Sequence, residues 1–229
     1  YLGLSRFVSA PSGTELRKVP ALDAFEIVVQ IGAVFAVLGI YRRRVSKIVR
    51  GVFGRDREGL RLLGLLAVAF LPAAVIGLLT RDVIKAHLFN PLTVAVALAA
   101  GGILMMAVQG GFYRRSARAG KLTDMAQLTY RHALLIGLFQ CLALCPGTSR
   151  SMITIVAGIL VGLNMVAAAE FSFLLALPTL GGATFYEGLS EWHGLTVEIG
   201  ALPLVVGIGV SWLVAALTVK GLVRWLTGH

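Results

Sequence analysis

A short polar run, Pro146-Gly147-Thr148-Ser149-Arg150-Ser151, interrupts two apolar stretches of this 229-residue chain. Its residue types suit an oxyanion. Pro146 ends one helix, Gly147 lets the backbone approach a ligand, three hydroxyls can donate, and Arg150 supplies a planar fork of donors that matches phosphate geometry. A helix expected to start at about Ser151 adds amide groups with no intrahelical acceptor, which is the usual anion site at a helix N-terminus. Irregular backbone and an arginine at membrane depth are tolerated only where protein or a wet cavity surrounds them, so such a break reads as functional. The competing reading is an ordinary loop between two helices with a solvated Arg150.

Other polar side chains fall inside apolar blocks: Glu26, Gln30, Gln140, Asn164, Glu170 and Ser172. Glu26 and Gln30 are four apart and share a helix face. Either glutamate could pair with Arg150, bind a divalent cation or move a proton. Each could equally sit near a helix N-terminus, where the dipole favours a negative charge. Thr154 and Ser172 are expected to bond only to the preceding helical turn. Cys141 and Cys145 also share a face, but small apolar use of cysteine in a buried helix accounts for them better than a metal or redox pair. His87, His132, His193 and His229 lack partners in sequence and read as solvated.

The elements that must hold these groups are membrane helices. The chain is 57% hydrophobic and only 14% charged, against about one quarter charged in a soluble domain. Its apolar residues form blocks near the roughly 20 residues that cross a bilayer. Blocks are expected at about 22–41, 62–79, 91–108, 167–186 and 202–219, with two shorter arms at 133–144 and 152–163. The net charge of +10 gathers in basic loops at 42–61 and 111–131 rather than spreading as a nucleic-acid surface, so no nucleic-acid partner is expected. Short turns at 80–90 and 187–199, the latter acidic, should face the other side, with residues 1–20 forming a further loop.

If the basic loops are cytoplasmic, the crossings add up only when 132–163 enters and leaves on one side. Each arm is about a dozen residues, roughly 18 Å at 1.5 Å per residue, too short to span. The expectation is an all-α integral membrane protein, residues 1–229 forming one membrane domain, with 132–163 a re-entrant helical hairpin tipped by the polar run.

The chain also matches itself weakly and in order. Ala24-Phe25-Glu26 is echoed by Ala169-Glu170-Phe171, and Leu71-Pro72-Ala73 by Leu202-Pro203-Leu204. Two halves of opposite topology follow, the first at 22–110 and the second at 132–220, as in proteins built from inverted repeats. No hairpin precedes Glu26 and no helix follows Trp225, and the first residue is Tyr1 and not Met, so both ends are expected to be incomplete.

Four segments carry a family resemblance: Leu128-Thr129-Tyr130-Arg131, Phe139-Gln140-Cys141-Leu142-Ala143-Leu144, the polar run itself, and Glu170-Phe171-Ser172-Phe173-Leu174-Leu175-Ala176-Leu177-Pro178. Together with Phe25-Glu26-Ile27-Val28-Val29-Gln30 they resemble the bacterial undecaprenyl-diphosphate phosphatase family of the bacitracin-resistance type. The resemblance implies a multi-pass enzyme of the bacterial cytoplasmic (inner) membrane. It would hydrolyse undecaprenyl diphosphate to undecaprenyl phosphate and phosphate, recycling the lipid carrier of peptidoglycan synthesis. It also implies a divalent cation (Mg or Ca), a site facing the outer side, and a homodimer as one option. By motif, Arg150 resembles the phosphate-binding arginine, with Thr148, Ser149 and Ser151 as ligands around it. Gly147, Gln140, Glu26, Gln30 and Glu170 are the expected substrate-contacting set.

Two departures qualify that match. The family's Glu-Gly-Leu-Thr-Glu stretch and Pro-x-Ser-Ser-Thr-Gly-His motif are not found in residues 1–229, so the metal ligands and the nucleophile are unassigned and the chain alone is expected to be inactive. Met152 stands where the family usually has glycine, which puts the helix packing behind Arg150 in question. The alternative functions are a transporter or flippase of a phosphate-bearing lipid or small anion, and a non-catalytic lipid-binding scaffold.

Overall fold

The longest apolar run is also the longest helix. A computed structural model of the chain describes residues 20–87, 91–120, 122–190 and 201–227, and α3 (Arg57–His87) runs unbroken through Pro72. A proline inside a helix removes one backbone bond and crowds the carbonyl four residues back, which helices in a bilayer tolerate when neighbours support them. Every other principal element is helical too: α1 (Pro20–Ile40), α2 (Arg42–Val52), α4 (Pro91–Ala107), α5 (Arg114–Arg118), α6 (Tyr130–Gln140), α7 (Arg150–Leu160), α8 (Met165–Ser190) and α9 (Ala201–Thr227). The spans Arg57–Thr80, Met165–Gly182 and Leu202–Leu226 are long and apolar enough to cross a membrane, and Val28–Ile40, Leu92–Ala107, Tyr130–Leu144 and Arg150–Leu160 are shorter apolar helices. The chain is an all-α integral membrane protein. The expected loops at 1–20 and at Glu191 and Glu198, with His193 and His229, lie outside the described residues, as do the side chains of Glu26, His87 and Glu187.

Two expectations are corrected. Residues 80–87, expected in a short turn, continue α3 to His87. The basic stretch 42–61 is not a loop, because residues 42–52 form α2. Val45, Ile48 and Val52 recur at helical spacing, and Gly51 and Gly59 let α2 and α3 approach backbone to backbone. Arg42, Arg43 and Arg50 stay exposed, while Lys47 reaches Glu58 at 2.7 Å. The other basic stretch keeps little regular structure: a π-helical turn at Val108–Tyr113, α5, and a 3-10 turn at Met125–Gln127.

The helices form two compact units, residues 1–40 with 177–222 and residues 41–176 with 223–229. In the first, Gly32 of α1 meets the backbone of α9 at Ile208 and Trp212, and Gly207 of α9 meets Phe25 and Val29. In the second, α3 and α6 are in close contact and run parallel. Gly64 lies against Tyr130, Ala69 against Gly137, and Gly77 against Leu144, both chains ascending together. Lipid offers no hydrophobic drive between helices, so small residues that permit close backbones do this work, and Ala69 and Gly137 are both buried. Arg61 fixes the register by donating to the carbonyls of Ala126 (2.7 Å) and Leu128 (2.6 Å), immediately before α6.

The segment 123–164 is closed at its base. Thr123 N–H donates to Gly162 O and Asn164 N–H to Thr123 O, both at 2.9 Å, making a parallel bridge between Thr123 and Leu163. The chain entering α6 and the chain leaving α7 are thus bonded to each other, and Asn164 Oδ1 caps α8 through Ala167 N–H at 2.8 Å.

Candidate active site

The polar run is built by a turn and a cap. Pro146 and Gly147 occupy the centre of a four-residue turn in which Thr148 N–H donates to Cys145 O at 3.1 Å. Gly147 has φ +89°, the left-handed value that position i+2 of a type II turn requires and that glycine takes at least cost. Its open side is not turned to a ligand, however. A Cβ there would lie 2.6 Å from the carbonyl oxygen of Val94, so the missing side chain admits the backbone of α4. Gly147 therefore seats the turn, which differs from the ligand approach expected of it.

Ser149 is the N-cap of α7, and its Oγ accepts from Met152 N–H at 3.4 Å, so the helix begins at Arg150, one residue earlier than expected. Ser149 Oγ and Ser151 Oγ are 3.3 Å apart and both residues are exposed, while Arg150 is half-buried. The amide of Ser151 donates to no described residue. The hydroxyls of Ser149 and Ser151 therefore come together at the start of α7, whose first residue is Arg150, and these residue types are suited to a phosphate.

A hydroxyl pair holds this first turn from behind. Thr154 Oγ1 lies 3.0 Å from Arg150 O and 3.1 Å from Ser151 O, and Ser172 Oγ on α8 is 2.6 Å from Thr154 Oγ1. Both side chains are buried. The expectation of purely local bonds is corrected: Thr154 does bond the preceding turn, but the two hydroxyls also join α7 to α8. Met152 is accommodated as well, because Gly101 of α4 leaves room where a Cβ would stand 2.6 Å from Met152 Cε.

The remaining candidates disperse. Gln140 ends α6 at 3% exposure, and its Oε1 is buried with no hydrogen-bond partner. Glu170 accepts from Arg44 Nε at 2.8 Å and lies two residues from Ser172, about 200° around α8 and so on another face. With Arg44, Asp124 and Asn164 it lines a cleft of about 460 Å³ at the start of α8, toward the opposite end of α7 from Arg150. Gln30 is half-buried on α1 in the other unit. Sequence reasoning misses Arg44, Val94 and Gly101, since nothing local marks residues whose partners lie about 50 to 126 positions away.

Among the described residues no three His, Cys, Asp or Glu side chains gather as a cation site. The described residues at the turn are of types that suit a phosphate, and no step below passes through a metal.

The motif segments now have structural reasons. Leu128 is fully buried, Thr129 caps α6 by accepting from His132 N–H, and Phe171 is fully buried between Glu170 and Ser172. Residues 6–229 match the family described as bacitracin resistance protein BacA. A protein of Sorangium cellulosum named undecaprenyl-diphosphatase is 48% identical over 90% of this chain and 67% of its own length. Undecaprenyl-diphosphatase 3 of Acinetobacter baylyi is 40% identical over 90% of this chain and 75% of its own, and undecaprenyl-diphosphatase 2 of Rhodospirillum rubrum 42% over 90% and 73%. Extending over almost all the described helices, this likeness makes the chain a member of the bacitracin resistance protein BacA family.

Proposed function

We propose that the chain is an undecaprenyl-diphosphate phosphatase, releasing undecaprenyl phosphate and inorganic phosphate. The observation that supports this reading is the polar turn itself, where the hydroxyls of Ser149 and Ser151 meet at the α7 N-terminus beside Thr148 and Arg150, in a family with members named undecaprenyl-diphosphatase. The terminal phosphoryl group would lie against Arg150 and the first turn of α7. One water is consumed: its oxygen ends bonded to the terminal phosphorus, the bond from that phosphorus to the bridging oxygen breaks, the bridging oxygen leaves with the lipid phosphate, and the water's protons pass to the phosphate products or to solvent. Arg150 and the Ser151 amide are placed to hold the charge that develops on the transferred group. The nucleophile is left unassigned.

The hairpin 132–163 is read as re-entrant, supported by the bonded base at Thr123 and Leu163. Its tip belongs near the outer side. Leu144 packs at Gly77, only three residues before the end of the Arg57–Thr80 apolar span and about 30 Å along α3 from Arg57. With the basic end cytoplasmic, the active site faces outward across the inner membrane. The ordered pairs Glu26 with Pro72 and Glu170 with Pro203 support an inverted repeat of 22–110 and 132–220.

The test is phosphate release from undecaprenyl diphosphate by this chain joined to the family's acidic and Ser/His motifs, compared with Arg150→Ala and Arg150→Lys. Removing one such donor costs about 100- to 1,000-fold in kcat. Lysine should rescue little, because it lacks the planar fork. A transporter would move the lipid and leave the diphosphate intact.

A further inference from the structure

The apolar stripe of α2 points away from the protein. At about 100° per residue, Val49, Val52 and Phe53 share one sector of the helix, and they are 49%, 60% and 75% exposed. The sector turned inward is polar and small instead. Arg44 reaches Glu170 of α8, Lys47 reaches Glu58, and Gly51 packs on the backbone of α3 at Leu60. A helix on a water-facing surface buries its apolar side against its own core. Because α2 does the reverse, its stripe needs an apolar cover from outside the described residues.

The charges around the stripe select the kind of cover. Residues 42–61 hold eight Lys and Arg against Asp56 and Glu58. Both acids are engaged, Glu58 by Lys47 and Asp56 by the Gly59 amide at 3.0 Å. Arg44 is taken by Glu170, and Arg61 by the carbonyls of Ala126 and Leu128. Arg42, Arg43, Arg50, Arg55 and Arg57 are exposed and form no ion pair with the described residues. On α2, Arg43 and Arg50 flank the apolar sector and Arg42 continues it toward the N-terminus. Depth agrees, because α2 packs at Gly59, in the first turn of the Arg57–Thr80 apolar span, and so sits at the edge of the hydrocarbon.

We propose that α2 is an anionic-lipid site in the cytoplasmic leaflet, with Val49, Val52 and Phe53 against acyl chains and Arg42, Arg43 and Arg50 on the phosphodiesters of phosphatidylglycerol-type lipids. The basic end of a membrane protein faces the cytoplasm, whose leaflet carries anionic lipid. The surface is separate from the polar turn, and the proposal does not depend on the phosphatase reading. A second copy of the chain covers the stripe badly, since a twofold contact through this face sets Arg42 and Arg50 against their own equivalents.

The experiment places the chain in phosphatidylcholine vesicles with a trace of phosphatidylglycerol, or of phosphatidylcholine, that carries a diazirine in its acyl chain. Mass spectrometry should find 45–53 labelled by the phosphatidylglycerol about tenfold more or better, each arginine at an anionic surface being worth up to about fivefold. Leu213, Val214 and Leu217, exposed on α9, should take up both lipids alike. Arg42→Gln, Arg43→Gln and Arg50→Gln together should bring the two lipids level at 45–53, with the α9 labelling unchanged as the sign of an intact fold. Arg114→Gln with Arg131→Gln, at exposed positions off α2, should leave the preference in place. Val52→Ser with Phe53→Ser should lower the labelling of 45–53 by both lipids, since the stripe no longer draws acyl chains. Equal labelling of 45–53 by the two lipids in the unaltered chain would overturn the proposal. So would a segment left unlabelled because a protein partner or a second copy covers it, or a preference that survives loss of the three arginines.

Discussion

The hydroxyls of Thr154 and Ser172 stand 2.6 Å apart, buried between α7 and α8, and Thr154 also reaches the carbonyl of Arg150. Two protons serve three acceptors, and a consistent arrangement has Ser172 donating to Thr154 and Thr154 to Arg150 O. The backbone of Arg150 is thereby tied through Thr154 to α8, at a serine 18 residues beyond Thr154.

That tie should be measurable. Coupling between interhelical hydrogen bonds in membrane proteins averages about 0.6 kcal/mol and reaches about 1.7. Full burial places this pair toward the upper part of that range, so a cycle of Thr154→Val and Ser172→Ala should give about 1 kcal/mol in reversible unfolding from mixed micelles. Strict additivity of the two single changes would show that the hydroxyls do not cooperate.

Two glycines of the second unit should respond to alanine with opposite signs. Gly147 has φ +89° and the Val94 backbone against it, so Gly147→Ala meets a left-handed penalty of about 1–2 kcal/mol before any clash is added. Gly102, inside α4, faces open space, and alanine there should stabilise by about 1 kcal/mol through helix propensity. Thermal unfolding of both variants reads the contrast directly, and a stabilised Gly147→Ala would contradict the turn geometry.

Met152 and Gly101 should behave as a matched pair. Enlarging Gly101 to leucine crowds the Met152 methyl group, and trimming Met152 to alanine leaves space above Gly101. The double variant should recover about 1 kcal/mol or more relative to the sum of the single changes, as neighbouring side chains do. Additive losses would mean that the two side chains never meet.

The Arg44–Glu170 pair should matter little to turnover. Arg44 is 42% exposed and Glu170 17%, so solvent weakens the attraction and Glu170→Gln should cost about 1 kcal/mol or less. In the chain joined to the family's acidic and Ser/His motifs, KM for undecaprenyl diphosphate should then stay within about a factor of two. A tenfold rise in KM without loss of stability would return Glu170 to the substrate-binding set.

What could be read from residues alone follows a physical divide. The apolar blocks and the helix-ending Pro146 are local and legible without coordinates, whereas the Ser149 cap that starts α7 at Arg150 and the seating of Gly147 against Val94 are not. The helix at 42–52 is hidden because arginines dominate its composition, while Val45, Ile48 and Val52 make up a narrow apolar stripe. Contacts such as Arg44 with Glu170, Gly147 with Val94 and Met152 with Gly101 depend on how distant helices stack, and neither partner advertises the other. The doubt over Met152 is answered by Gly101 for the same reason, since compensation across helices leaves no trace at the substituted position.

The bridge between Thr123 and Leu163 has a consequence for biogenesis. A segment stitched at its base needs no hydrophilic loop carried across the bilayer. Only the few polar residues at its apex must travel, and they travel wrapped by two apolar arms. On the proposed re-entrant reading the hairpin enters as one unit, its two arms already joined at the base. Its depth is then fixed by arm length, so one residue inserted in α6 would move the apex by about 1.5 Å along the membrane normal, with no slack at the base to absorb it.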